Sequence, residues 1–139
     1  MTSTGGFNPI KWDCEKQGCW NAACRPPVHF FSDCFPRKIS MSDIDGTVEL
    51  EHHFLFLEWK SHMGELPLGQ RLYFERLTTL HTNIVCIIVH AAHSPNDVEH
   101  IRVMHNGKLS DWESCDLEGL RERISRWAIK AQQKTKAVA

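Results

Sequence analysis

The sequence predicts an α/β domain, a mixed β-sheet flanked by helices and preceded by a cysteine-rich N-terminal extension. Three observations carry this. Asn83–Ala92 is a near-continuous β-branched run, as expected of a strand buried on both faces of a sheet. Residues 54–60 alternate apolar side chains before ending on charge, the period of a strand. Two segments, 68–80 and 117–133, repeat their apolar residues at helical spacing.

Taken in chain order, residues 1–37 are rich in Cys, Pro, Gly and Trp and read as loops with short elements. Residues 38–139 are regular. The pattern predicts a first strand over 39–44, then a hairpin from Thr47–His52 and Phe54–Lys60, turning near 51–53. Pro67 suits the first turn of a helix over 68–80, with Leu68, Leu72, Tyr73, Leu77 and Leu80 as its apolar stripe. Ile101–His105 reads as a further strand ending at the turn signal Asn106-Gly107. Asp116 is placed to cap a last helix whose stripe is Leu117, Leu120, Ile124, Trp127 and Ala131. With 139 residues and 42% hydrophobic content, one core and a single domain over 1–139 are expected.

Charge at the end of the hairpin is the chemical signal. Glu58 and Lys60 point off the same face of an apolar strand, and Asp45-Gly46 lies 13 residues before Glu58 across the hairpin. Two carboxylates at the end of a buried sheet are costly unless something uses them. A hard divalent cation, Mg²⁺ or Mn²⁺, would do so through Asp45, Glu58 and the backbone carbonyl of Trp59. Such an ion serves hydrolysis of a phosphodiester, and Lys60 would orient water or neutralise developing charge. A salt bridge at a strand end, with Asp45 only a turn residue, is the structural alternative.

These residues resemble the PD-(D/E)XK nuclease superfamily, in particular the Holliday-junction resolvases and the virus-type replication-repair nucleases. The resemblance covers roughly residues 38–105 and continues through Gly64-Glu-Leu-Pro-Leu-Gly-Gln70, which is similar to the glycine, linker and glutamine-bearing helix that follow the motif lysine. It implies a restriction-endonuclease-like αβββαβ core, DNA as partner, Gln70 as a fourth site residue, a small phage or prophage protein, and a homodimer making paired cuts. Ile44, rather than proline, precedes Asp45, so Asp43 and Asp45 are both candidate ligands; spacing and the following glycine favour Asp45. An upstream acid would have to be Asp33 or Glu15.

Cys14, Cys19, Cys24 and Cys34, spaced C-x4-C-x4-C-x9-C, could hold a structural Zn²⁺; free thiols are the equal alternative. Cys86, inside the apolar run, reads as a buried thiol. His62, with His52 and His53, flanks the motif and could contact phosphate, and Glu49 could touch the site. Arg121, Arg123, Arg126, Lys130 and Lys134 could track a DNA backbone, and Trp12, Trp20, Trp112 and Trp127 could stack on bases; a solvated helix face and core packing are the plainer readings. A net charge of −1 argues against a non-specific DNA coat but not against a nuclease that meets phosphate through metal. No segment is long and apolar enough to span a bilayer and the N-terminus lacks a signal-peptide pattern, so an intracellular, cytoplasmic location is expected, that of the host if phage-encoded. Two rivals to the nuclease stand: a non-catalytic binding protein that keeps the nuclease fold, and a small zinc-stabilised DNA-binding module.

Overall fold

The computed structural model describes residues 27–138. The chain divides into two compact units, 1–42 and 43–139. In the first, a 3-10 helix spans Val28–Cys34 and is closed at its start by Phe30 N donating to Pro27 O. Cys34 is an exposed free thiol; Cys14, Cys19 and Cys24, with the zinc site they would form, lie outside the described residues, as do Glu15, Trp12 and Trp20.

The second unit is α/β, a mixed sheet with helices. Strand β1 (Gly46–Leu50) and strand β2 (His53–Lys60) form an antiparallel hairpin. Helix α1 (Leu68–Leu80) carries the chain to strand β3 (Ile84–Ala91), which runs parallel to β2. Strand β4 (Val98–His105) pairs antiparallel with β3, and two short strands, β5 (Lys108–Leu109) and β6 (Glu113–Ser114), pair with β4. Helix α2 (Leu117–Val138) closes the unit, its first turn capped by Gly119 N donating to Asp116 Oδ1 at 2.8 Å. The sheet order is β1-β2-β3-β4-β5, with β6 also on β4.

Two cores follow from strand alternation. Leu55, Ile87, Val89 and Ile101 face the side where Leu120, Ile124 and Trp127 of α2 pack. Cys86, Ile88 and Met104 face the opposite side, where Phe74 and Leu77 of α1 pack. The central strand β3 is buried from Cys86 to Ala91, which explains its lack of polar alternation.

Tight turns set the register. Glu51 and His52 both take left-handed φ (49° and 66°), the geometry of a two-residue hairpin turn whose twist matches its strands. Asn106 and Gly107 do the same between β4 and β5 (54° and 77°). At Gly107 an added Cβ would also stand 2.6 Å from Thr79 Cγ2. Gly107→Ala should therefore destabilise the protein by about 1–3 kcal/mol, read as a lower urea midpoint. An unchanged midpoint would show that the turn relaxes freely.

Two sequence expectations are corrected here. Residues 39–44 form no strand; Ile39, Met41 and Ile44 are exposed, and the sheet begins at Gly46. Six residues with no neighbouring strand cannot satisfy backbone groups in a ladder, whatever their propensity. The apolar stripe of α1 is also displaced. Leu68, Tyr73 and Leu80 are exposed, while Phe74 and Thr78 are the buried residues. Thr78 can be buried because its hydroxyl donates to Phe74 O at 2.7 Å and accepts from Gly107 N at 3.0 Å. A satisfied threonine packs as an apolar residue would, and periodicity of hydrophobic types alone misses it.

Candidate active site

The site forms where β2 ends beside the start of α1. In a strand–helix–parallel-strand unit the helix runs back along the sheet, so its first turn lies by the C-terminal end of the strand before it. Gln70, in that first turn, donates from Nε2 to Glu58 Oε1 at 2.6 Å. Lys60 Nζ stands 3.5 Å from the same carboxylate oxygen. Asp45 arrives from the other strand of the hairpin. The β1–β2 ladder ends with Gly46 paired to Leu57, so Asp45 comes opposite the end of β2, where its Oδ2 accepts from Trp59 N at 2.7 Å.

Three of the four residues that the sequence pointed to, Asp45, Glu58 and Lys60, thus meet at one strand end, and Gln70 joins them from the helix. Between the two candidate aspartates the structure brings Asp45 to β2, and Asp43 is exposed with no such bond. An N–H and C=O of one extended residue project to the same side of the strand. The carbonyl of Trp59 therefore faces the side of Asp45, past the end of β1.

Glu58 is 7% exposed, which pushes its carboxyl above the ordinary value of 4.5. The charge of Asp45 pushes the same way, while the Gln70 amide and the Lys60 ammonium pull it down. Glu58 in turn adds to burial in raising the Cys86 thiol to about 12, so that thiol stays protonated and inert on the floor of the site. Glu58 Oε2 and Gln70 Oε1 are both buried with no hydrogen-bond partner. Each such acceptor costs about 1–3 kcal/mol if nothing meets it.

Two carboxylates, one of them with the orphaned Glu58 Oε2, beside the orphaned Gln70 amide oxygen and a strand-end carbonyl are the donor set of a hard divalent cation, so these residues fit Mg²⁺ or Mn²⁺. Among the described residues no three His, Cys, Asp or Glu side chains cluster as a ready metal cage. The set here is instead mixed, two carboxylates with amide and backbone oxygens. A cavity of about 270 Å³ opens beside Lys60, lined also by Ser61, Ala92, His93 and Pro95, where the ends of β2 and β3 meet the loop after β3. Trp59 Nε1 donates to Pro95 O at 2.9 Å and pins that loop.

Other expected contacts fall elsewhere. Glu49 accepts from His52 N at the hairpin turn, and His52 and His53 stand there too. A strand rises about 3.3 Å per residue, so neighbours in sequence along β2 are carried to its far end. His62 is exposed in the turn after β2. Asp33 is exposed in the 3-10 helix of the other unit. The basic residues of α2 belong to a helix on the sheet face opposite Glu58, and Arg123 is paired with Glu113 at 3.1 Å. Trp127 packs in the α2 core, and Trp112 packs against the other core under the guanidinium of Arg102. One feature of the Glu58 face is not legible in the sequence, a histidine pair of buried His90 and half-buried His100, brought together only by the pairing of β3 and β4.

Scans against protein-family models, curated proteins and solved structures each found no match to this chain. Among the described residues no helix is long and apolar enough to cross a membrane.

Gln70 offers a local test of the electrostatics. Its amide stabilises the charged form of Glu58, so Gln70→Ala should raise the Glu58 pKa further. Following the Glu58 carboxyl by NMR through a pH titration reads this directly. A midpoint that stays or falls would contradict the hydrogen bond.

Proposed function

We propose that this protein is a metal-dependent nuclease of the PD-(D/E)XK type, hydrolysing DNA phosphodiester bonds with Mg²⁺ or Mn²⁺. The observation that carries this reading is the meeting of Asp45, Glu58, Lys60 and Gln70 around two buried oxygens that lack hydrogen-bond donors. A hairpin bearing the acids, followed by a helix and a parallel strand, supplies part of the αβββαβ order that the resemblance implies; the strand expected before the hairpin is absent.

Each residue has a separate task. Asp45 and Glu58 would hold the ion, with the Trp59 carbonyl as a neutral third donor. Bound there, a divalent ion supplies stabilisation of the phosphodiester's developing charge and acidifies a water. Lys60, partly exposed beside Glu58, places a mobile positive charge where a phosphate would approach. Gln70 fixes the Glu58 rotamer through its 2.6 Å bond, so the carboxylate is oriented before the ion arrives.

The test is cleavage of supercoiled plasmid, linear duplex, single strands and a four-way junction with Mg²⁺, Mn²⁺ or EDTA. Metal-dependent cutting supports the reading and names the substrate form. No cutting of any substrate by folded, metal-supplied protein would turn the assignment to a binding protein on a nuclease-like fold.

A further inference from the structure

A second polar cluster lies on the same sheet face, one strand beyond Lys60. In the strand register Lys60 pairs with His90 and His90 with His100, so the three form a row across β2, β3 and β4. The two imidazoles turn their Nδ1 atoms towards each other at 3.2 Å. His90 is 8% exposed and held against the ring of Trp112, centroids 6.2 Å apart; Trp112 lies in turn under Arg102. Glu99 Oε1 is 4.0 Å from the same His90 Nδ1.

We infer that His90 and His100 bind a borderline transition ion such as Zn²⁺, Ni²⁺ or Co²⁺, with Glu99 as the nearest third ligand. Imidazole nitrogens sit about 2.0–2.1 Å from such an ion, which sets two of them about 2.9 Å apart at a right angle and about 3.3 Å apart at the tetrahedral angle. The observed 3.2 Å lies within that span. A hydrogen bond between the rings uses one proton and leaves Glu99 only a long, 4.0 Å ion-pair contact with His90, whereas one ion engages all three groups. Glu99 would have to change rotamer to do so, which its half-exposed side chain permits.

The surroundings supply charge. Glu99 and His100, though not His90, line a cleft of about 690 Å³ beside α2 whose walls carry Glu99, Glu113, Asp116 and Glu122 against two arginines. One of those arginines, Arg123, is already paired with Glu113. The cleft is therefore negative on balance, which favours entry of a hydrated cation. Imidazole ligands also separate this site from the all-oxygen set at Asp45 and Glu58, so the two would take different ions.

Co²⁺ titration of the full-length protein tests this, in an Asp45→Asn, Glu58→Gln background that removes the carboxylate site. The expected visible spectrum is that of nitrogen and oxygen ligands, without the thiolate band that cysteines would give. His100→Ala and the milder His100→Gln should each weaken that binding about tenfold or more, with thermal unfolding confirming that both fold. As a measurement needing no change at the pair, Cu²⁺ bound to the wild-type protein should show splitting from two imidazole nitrogens in its electron paramagnetic resonance spectrum. Equal Co²⁺ affinity in the His100 variants, a thiolate-only spectrum, or copper without two-imidazole splitting would each overturn the assignment and leave a simple hydrogen-bonded pair.

Discussion

Alanine at Lys60 should cut metal-dependent DNA cleavage by about 10²–10³-fold while the protein stays folded, the usual loss when one preorganised charge is taken from a reacting centre. The structural cost is small because the Lys60 side chain is about a quarter exposed, at 27%, on the last residue of β2. Its 3.5 Å pairing with Glu58 is of the partly solvated kind, worth no more than about 1 kcal/mol. Stability and activity should therefore separate. Asp45→Asn should lose cleavage to a similar degree, since it removes a ligand charge but keeps an acceptor for Trp59 N. Single-turnover cleavage beside a thermal melt reads both effects. Undiminished cutting by the Lys60 variant would sink the nuclease assignment for this site, even if the protein proved to cut DNA.

Glu58→Gln should act in opposite directions with and without metal. The folded state holds the Glu58 proton more tightly than the unfolded chain, because burial and Asp45 raise its pKa. Its favourable contribution is thus complete below the unfolded value near 4.5 and is lost as pH rises through the raised folded value. At neutral pH the ionised, 7%-exposed carboxylate works against folding. A neutral glutamine removes that penalty, so the metal-free variant should be more stable at pH 7, by about 0.5–2 kcal/mol, and should lose the decline in stability above pH 4.5. With the ion present the order reverses. Wild type should gain about 2.7 kcal/mol when free metal reaches a hundred times its dissociation constant, and the variant should gain almost none. Melts at several pH values, with EDTA and with Mg²⁺, measure all of this. A metal-free variant less stable than wild type would make Glu58 a structural ion-pair partner and remove the cost on which the site rests.

Much of this unit was legible in its residues. The β-branched run, the alternation before Glu58 and the Asn106-Gly107 turn each mark their element, since strand period and turn chemistry are local properties. The span of α1 could be read, but not its buried face, because Thr78 owes its burial to hydrogen bonds to Phe74 O and from Gly107 N, the latter 29 positions away. The strand expected at 39–44 failed for a related reason: propensity is local, whereas a ladder needs a neighbour.

For the site, the sequence alone determined which charged groups could meet. The 13-residue interval from Asp45 to Glu58 spans a hairpin, and alternation puts Glu58 and Lys60 on one face. Tertiary structure decided what those groups experience. Packing of α1 over β2 buries Glu58, brings Gln70 within 2.6 Å and leaves two acceptor oxygens without donors. Pairing of β3 with β4 did the same for His90 and His100, which sit ten positions apart in the chain and 3.2 Å apart in space. Burial, pKa and ligand separation arise from the packing of distant segments, and so they belong to the fold and not to any stretch of its sequence.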